Sequence, residues 1–289
     1  LKALPEGIGE TMAIKKRKKQ QQTGSDIFNE YRSVFEIADI LDTIPAENHS
    51  RSYDDRQFCP FSFEGTLSAL RHGWREGTCE IHAITEKIQT DSKLALDGYS
   101  IDYDVTGDFI DMGAYLEGTP ECMGSIIPRH IIKDSVTIVV NASAGFRVSE
   151  KIIRTRGAAI TALIERLQDE YDVNLIVGIN VDNIPDGRTM EISWRIDLQN
   201  EFSRDLVAFA VAHPGFLRRV FFALVEVAAG AKNCSPYGHV RELKKTLKGL
   251  NGARHYYFPA ANYDDEYWQE TETATKKVVE IMESIQKNN

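Results

Sequence analysis

The apolar positions along the chain change period from one segment to the next. Val136-Thr137-Ile138-Val139-Val140 is an almost continuous apolar, β-branched run, and Leu175-Ile176-Val177-Gly178-Ile179 is a second. An amphipathic stretch with Arg156-Gly157-Ala158-Ala159-Ile160 lies between them. Continuous runs suit strands buried on both faces, and a period near 3.6 suits a helix packed across them. The order predicts strand, loop, helix, strand: one unit of an open α/β sheet. Met190, Ile192, Trp194, Ile196 and Leu198 alternate with Glu191, Ser193, Arg195 and Asp197. That pattern predicts a further strand, joined to the 175–181 run as a hairpin through Pro185-Asp186-Gly187. A shorter alternation sets Ile101, Tyr103 and Val105 against Asp102, Asp104 and Thr106, and predicts a half-buried strand over 100–105.

Helical spacing dominates elsewhere. Asp26 to Ile44 reads as one helix capped by Ser25 or Asp26, with Phe28, Tyr31, Val34, Phe35, Ala38 and Leu41 on one stripe and Pro45 beyond its end. A helix capped by Ser62 and stopped at Gly73 comes next, then one over Glu80 to Leu94 marked by Ile81, Ile84 and Ile88. Gly107 to Cys122 reads as an ordered loop with a short helix. Ser203 to Val227 is an apolar helix interrupted at His213-Pro214-Gly215, and Glu266 to Lys287 is the last helix. The expected fold class is α/β with α+β decorations, an open mixed sheet with flanking helices. The expected organisation is a basic, disordered tail over 1–25 and one α/β domain over 26–289 that ends in a helix.

Composition narrows the function classes. A net charge of -9 opposes general nucleic-acid affinity, which needs a cationic face. The local exception is Lys15-Lys16-Arg17-Lys18-Lys19, a candidate nucleic-acid contact. Cys59, Cys79, Cys122 and Cys234 are widely spaced, as expected of reduced thiols in a cytosolic protein. No apolar run approaches the roughly 20 residues that span a bilayer, so no membrane partner is expected.

Three clusters offer chemistry. Asn141, Ser143 and Gly145 follow the first apolar run, where open α/β sheets bind ligands beyond their strand carboxyl ends. Asp102, Asp104, Asp108 and Asp111 could hold Mg or Mn for a metal-dependent phosphoesterase or nuclease. His72, Cys79 and His82 are ligand types for zinc at no standard spacing. Tyr256-Tyr257-Phe258, with Tyr263, Tyr267 and Trp268, forms an aromatic band that reads as a packed or partner-binding patch. No Walker loop, G-x-S-x-G or G-x-G-x-x-G is present.

Asn141-Ala142-Ser143-Ala144-Gly145 with the small-residue helix after it resembles part of a von Willebrand factor A domain. In that family an Asp-x-Ser-x-Ser loop begins a metal-ion-dependent adhesion site, and an antiparallel strand pair follows. Here Asn141 replaces the aspartate and Gly145 the second serine, a change that weakens a Mg²⁺ site because that ion prefers anionic oxygens. Gly73-Trp74-Arg75-Glu76-Gly77, Gly107-Asp108-Phe109-Ile110-Asp111 and His213-Pro214-Gly215-Phe216-Leu217-Arg218-Arg219 together resemble an uncharacterised family of bacteriophage and prophage proteins. The second resemblance implies a viral or mobile-element protein in the host cytoplasm or the virion. The expected function is a non-enzymatic structural or protein-interaction module with no cofactor, partnered by another protein or a viral assembly. The alternatives are the metal-dependent phosphoesterase or nuclease and a nucleic-acid-associated protein acting through the basic run.

Overall fold

The computed structural model describes residues 26–52, 59, 61–91, 99–128, 134–145, 147–182, 184, 188–198, 204–232 and 241–287. The basic run Lys15–Lys19 and the Pro185–Gly187 turn lie outside these residues. In chain order the strands are β1 (Ile27–Tyr31), β2 (Tyr99–Asp104), β3 (Phe109–Ile110), β4 (Met123–Pro128), β5 (Ser135–Asn141), β6 (Asp172–Val181), β7 (Met190–Asp197) and β8 (His255–Phe258). The helices are α1 (Val34–Asp42), α2 (His49–Ser52), α3 (Phe63–His72), α4 (Arg75–Asp91), α5 (Met112–Leu116), α6 (Glu150–Glu170), α7 (Arg204–Ala212), α8 (Phe222–Ala229), α9 (Lys244–Gly249) and α10 (Thr271–Lys287). A π-helical segment, Phe216–Phe221, leads into α8.

The main sheet runs β1-β7-β6-β5-β8. β5 pairs in parallel with both β6 and β8, β7 is antiparallel to β6, and β1 joins β7 in parallel at the outer edge. Val136, Ile138, Val139 and Val140 are all fully buried because β5 has a strand on each side and a covered face above and below. On one face Val136, Ile138 and Val140 join Leu175, Val177, Ile192 and Trp194 in the main core, shared with α6, α7, α8 and α10. On the other face Val139 and Ile176 pack against Leu243 and Leu250, which flank α9. The result is a mixed sheet between two unequal helical layers.

Local signals account for several boundaries. Ser62 Oγ accepts from the Gly65 N–H at 2.9 Å and opens α3; Gly73, at φ 83°, ends it. Ser149 caps α6 by accepting from Ile152 N–H. The break at Pro214 separates α7 from the π-helical segment as the proline requires.

Two expectations need correction. Residues 26–44 are a strand followed by a helix, with Ser33 rather than Ser25 or Asp26 as the cap. Ile27 and Tyr31 are buried because β1 completes the sheet edge on β7, a long-range pairing that local periodicity does not report. The 100–105 alternation is a strand, but Tyr103 and Val105 are exposed: β2, β4 and β3 form a separate three-stranded sheet with only slight contact to the main body. The aromatic run at 256–258 is β8 itself, with Phe258 buried and Tyr256 and Tyr257 half-buried, in line with the packed alternative for that run.

Candidate functional site

The sheet order changes direction at β5. The chain leaves β5 through α6 to β6 on one side, and later returns to β8 on the other. Open α/β sheets bind ligands beside such a point, at the carboxyl ends of the two strands. Here those ends carry the loop from Asn141 to Gly145 and the segment from Pro259 to Ala261.

The two loops are zipped together. Gly145 N–H donates to Ala261 O at 3.2 Å, and Ala261 N–H donates to Ser143 O at 3.1 Å. The Asn141 side chain is buried and bonded on both sides. Its Nδ2 donates to Arg241 O at 2.7 Å and to the Tyr257 hydroxyl at 3.2 Å, while Oδ1 accepts from Ser143 N–H at 3.0 Å. An amide is required for this pattern, because a carboxylate cannot donate. The residue that departs from the adhesion-site motif therefore works as a loop clamp.

Arg156, in the second turn of α6, comes up beneath the same loops. Its Nη2 donates to Asn141 O at 3.3 Å and to Pro259 O at 2.7 Å, so one guanidinium ties both strand ends. The side chain is only 5% exposed. Burial pushes its pKa down to about 10, against smaller raising effects of Asp265 and Tyr257.

Beside Arg156 lies a cavity of about 40 Å³. Gly145 and Val148 form one wall, Ala210 and His213 from the α7 end another, and Leu217 and Arg218 from the π-helical segment a third. Single π-turns recur at functional sites because they re-aim side chains within a helix. His213 is caged by Phe61, Trp74 and Phe209, with ring centroids at 4.1, 4.5 and 4.9 Å. Its Nδ1 accepts from Gly215 N–H at 3.0 Å, which places the ring proton on Nε2. Burial, helped by the charge of Arg154, pushes its pKa down to about 3, so the ring is neutral at ordinary pH.

A model described as "Domain of unknown function (DUF7192)" matches residues 15–288. The chain belongs to the DUF7192 family. No curated protein and no solved structure matches it. The DUF7192 match includes the Lys15–Lys19 run that lies outside the described residues.

In this DUF7192 chain the acidic residues do not converge. Asp111 caps α5, accepting from Gly113 N–H at 2.9 Å and Ala114 N–H at 3.2 Å. Asp104 Oδ1 accepts from Val105 N–H at 2.7 Å, and Asp102 faces solvent on the same strand. His82 contacts Arg204 and Glu86 rather than Cys79 or His72. Among the described residues no three His, Cys, Asp or Glu side chains come together to hold a metal ion. Of the loop residues named from sequence, Asn141, Ser143 and Gly145 do come together at the switch point. Arg156 and His213 were missed as site residues. Arg156 did leave a signal: it interrupts the buried stripe Ile152, Ile160, Leu163 and Leu167 of α6 with a charge.

Proposed function

We propose that the chain is a non-enzymatic protein-interaction module that docks a basic partner protein through its small sheet. The observation that carries this reading is a group of uncovered apolar side chains. Tyr103, Val105, Phe109, Ile110, Met112, Tyr115 and Leu116 are all exposed, Leu116 to 78%. They gather on one small unit, β2, β3, β4 and α5, that stands off the main body. Isolated exposed apolar residues are ordinary, but a contiguous group with polar neighbours marks an interaction surface.

The charge of the same unit selects the partner. Residues 99–128 contain six acidic side chains, Asp102, Asp104, Asp108, Asp111, Glu117 and Glu121, and no Lys, Arg or His. A unit that exposes apolar side chains and carries only acidic charge matches a partner whose apolar anchors are accompanied by Lys or Arg, and repels nucleic acid. The context we propose is an assembly of a virus or mobile element, as the motif resemblance implies. The main body then acts as the scaffold. Its order of strand, small-residue helix, strand and antiparallel strand supports a von Willebrand A-like reading of β5 to β7, with the cation position of that family replaced by an internal Arg156–carbonyl clamp.

Purification from the native source tests this. A basic protein is expected to co-purify with the unmodified chain, to dissociate as salt rises, and to be lost from the double variant Tyr115→Asp, Leu116→Asp. Those positions are exposed, so the double variant should melt like the unmodified chain. A partner retained by that variant, or an acidic partner, would overturn the proposal.

A further inference from the structure

We propose that the cavity at the carboxyl ends of β5 and β8 is a binding site for a small oxyanion, a phosphate or carboxylate group. Two cavity-lining side chains hold donors that the protein leaves unused. Arg156 makes its two bonds through Nη2 alone, both to main-chain carbonyls, and its Nε and Nη1 have no hydrogen-bond partner among the described residues. No carboxylate bonds it either; Asp265 acts on it only through space. His213 is 4% exposed, its Nδ1 is occupied by Gly215 N–H, and its Nε2–H has no acceptor among the described residues.

A buried guanidinium is normally neutralised by a bonded carboxylate, because leaving an ion uncompensated in a low-dielectric interior is expensive. Carbonyl dipoles satisfy one nitrogen here and leave a net positive charge facing a small space. The guanidinium presents its donors in a planar fork that matches two oxygens of one anion, and phosphate and carboxylate share that geometry. Arg218 also lines the cavity, with its guanidinium over the Phe222 ring at 5.5 Å. Neutral His213 suits the same ligand as a hydrogen-bond donor that brings no charge of its own to be desolvated.

The dimensions agree. A water needs roughly 10–15 Å³ of such space, so about 40 Å³ takes a few waters or one phosphate-sized group, not a nucleotide. The walls contributed by Val140, Val148, Ile153 and Phe216 are apolar, which removes competing water and strengthens the charged contact. The chemistry is opposite in sign to the cation site that the resemblance of the Asn141 loop implies. It is also independent of the docking surface on the small sheet, since none of its residues lies between 99 and 128.

The test uses the full chain with inorganic phosphate and sodium acetate as probes, each compared with sodium chloride at equal ionic strength. Phosphate or acetate is expected to raise Tm with saturation, by roughly 5 °C at 100 times the dissociation constant, and to give a saturable one-to-one isotherm by calorimetry. Phosphate alone would assign the site to phosphate groups, and both anions would assign it to oxyanions in general. Arg156→Gln is expected to abolish the shift. Because Arg156 also ties two loops, Gly145→Leu provides the second arm. Among the described residues a Cβ at Gly145 would meet Val148 Cγ2 at 3.9 Å, an ordinary contact, and Gly145 lines the cavity, so the added side chain is expected to narrow it. No saturable shift in the unmodified chain, or a shift of equal size in Gly145→Leu, would overturn the proposal.

Discussion

Asn141 shows how far one polar atom decides the chemistry of a strand end. As an amide it donates twice and accepts once, and all three bonds are internal. Asn141→Asp keeps the acceptor and removes both donors; the Tyr257 hydroxyl can turn to donate to the carboxylate, but Arg241 O is left unmatched beside a new buried charge. We expect a loss of about 1–3 kcal/mol in urea unfolding. Millimolar Mg²⁺ should not restore it, because the buried Arg156 guanidinium bonded to Asn141 O repels a cation beside this loop. Recovery of stability by Mg²⁺ in that variant would show that the loop is an adhesion-type metal site in waiting.

His213 makes a second residue-scale prediction, and its sign follows from linkage. Its folded pKa, about 3, lies below its ordinary value of 6.5. Between those values the unfolded chain binds the proton and the native chain does not, so stability rises with pH across this window. The contribution is full above 6.5 and falls as pH drops towards 3, by at most about 1.4 kcal/mol per pH unit. His213→Asn keeps an acceptor for Gly215 N–H and cannot be protonated. Unfolding free energies measured from pH 4 to 7 should show a shallower acid slope for that variant, by about one proton. An unchanged slope would mean that His213 is accessible to protonation in the native state.

Two elements depend on contacts that their own sequences do not contain. The first is α6, which crosses α7 at Gly157. A Cβ there would come within 2.3 Å of Ala212 Cβ and 2.7 Å of Ala212 Cα. Gly157→Val should separate these helices and cost about 2–4 kcal/mol, more than helix propensity alone would return, as read by thermal or urea unfolding. The second is α9, which has no capping side chain of its own at Leu243. Glu191, from β7, supplies the cap. Its Oε1 accepts from Thr246 N–H at 2.6 Å and Thr246 Oγ1 at 2.7 Å, and its Oε2 from Lys245 N–H at 3.0 Å. Glu191→Ala should release α9 from the sheet. Hydrogen exchange of the 241–250 amides is expected to speed up while exchange in β5 stays slow; uniform acceleration would mean that α9 is part of the cooperative core.

At the scale of the whole molecule, the small sheet and the main body are separable. β2, β3 and β4 make only slight contact with the helices of the main core, and Tyr103, Phe109 and Ile110 on them are exposed. Replacing residues 99–128 with a short Gly-Ser linker should therefore leave a cooperative unfolding transition, with Tm lowered by no more than about 5 °C. A chain that fails to fold without this unit would show that it is a structural element rather than a docking surface. Among the described residues no single helix is long and apolar enough to cross a membrane; the apolar pair Arg204–Ala212 and Phe216–Ala229 is bent by 74°.

The chain order of periodicities determined β5, α6, β6 and β7 and the interruption at Pro214, because each depends on burial patterns and backbone chemistry within a few residues. It also placed Asn141, Ser143 and Gly145 together at a strand end. Tertiary structure alone decided that residues 27–31 are a strand, since that needs β7 as a partner more than 150 residues away. It alone decided that Tyr256–Phe258 is β8, and that Tyr103 and Val105 of the 100–105 alternation face water, with β2 on a separate sheet. The cavity belongs to the same class. Arg156 and His213 come from two helices, and the loops they meet come from two strands. No local pattern states which donors remain unused, because hydrogen-bond satisfaction is settled only when distant segments are packed together.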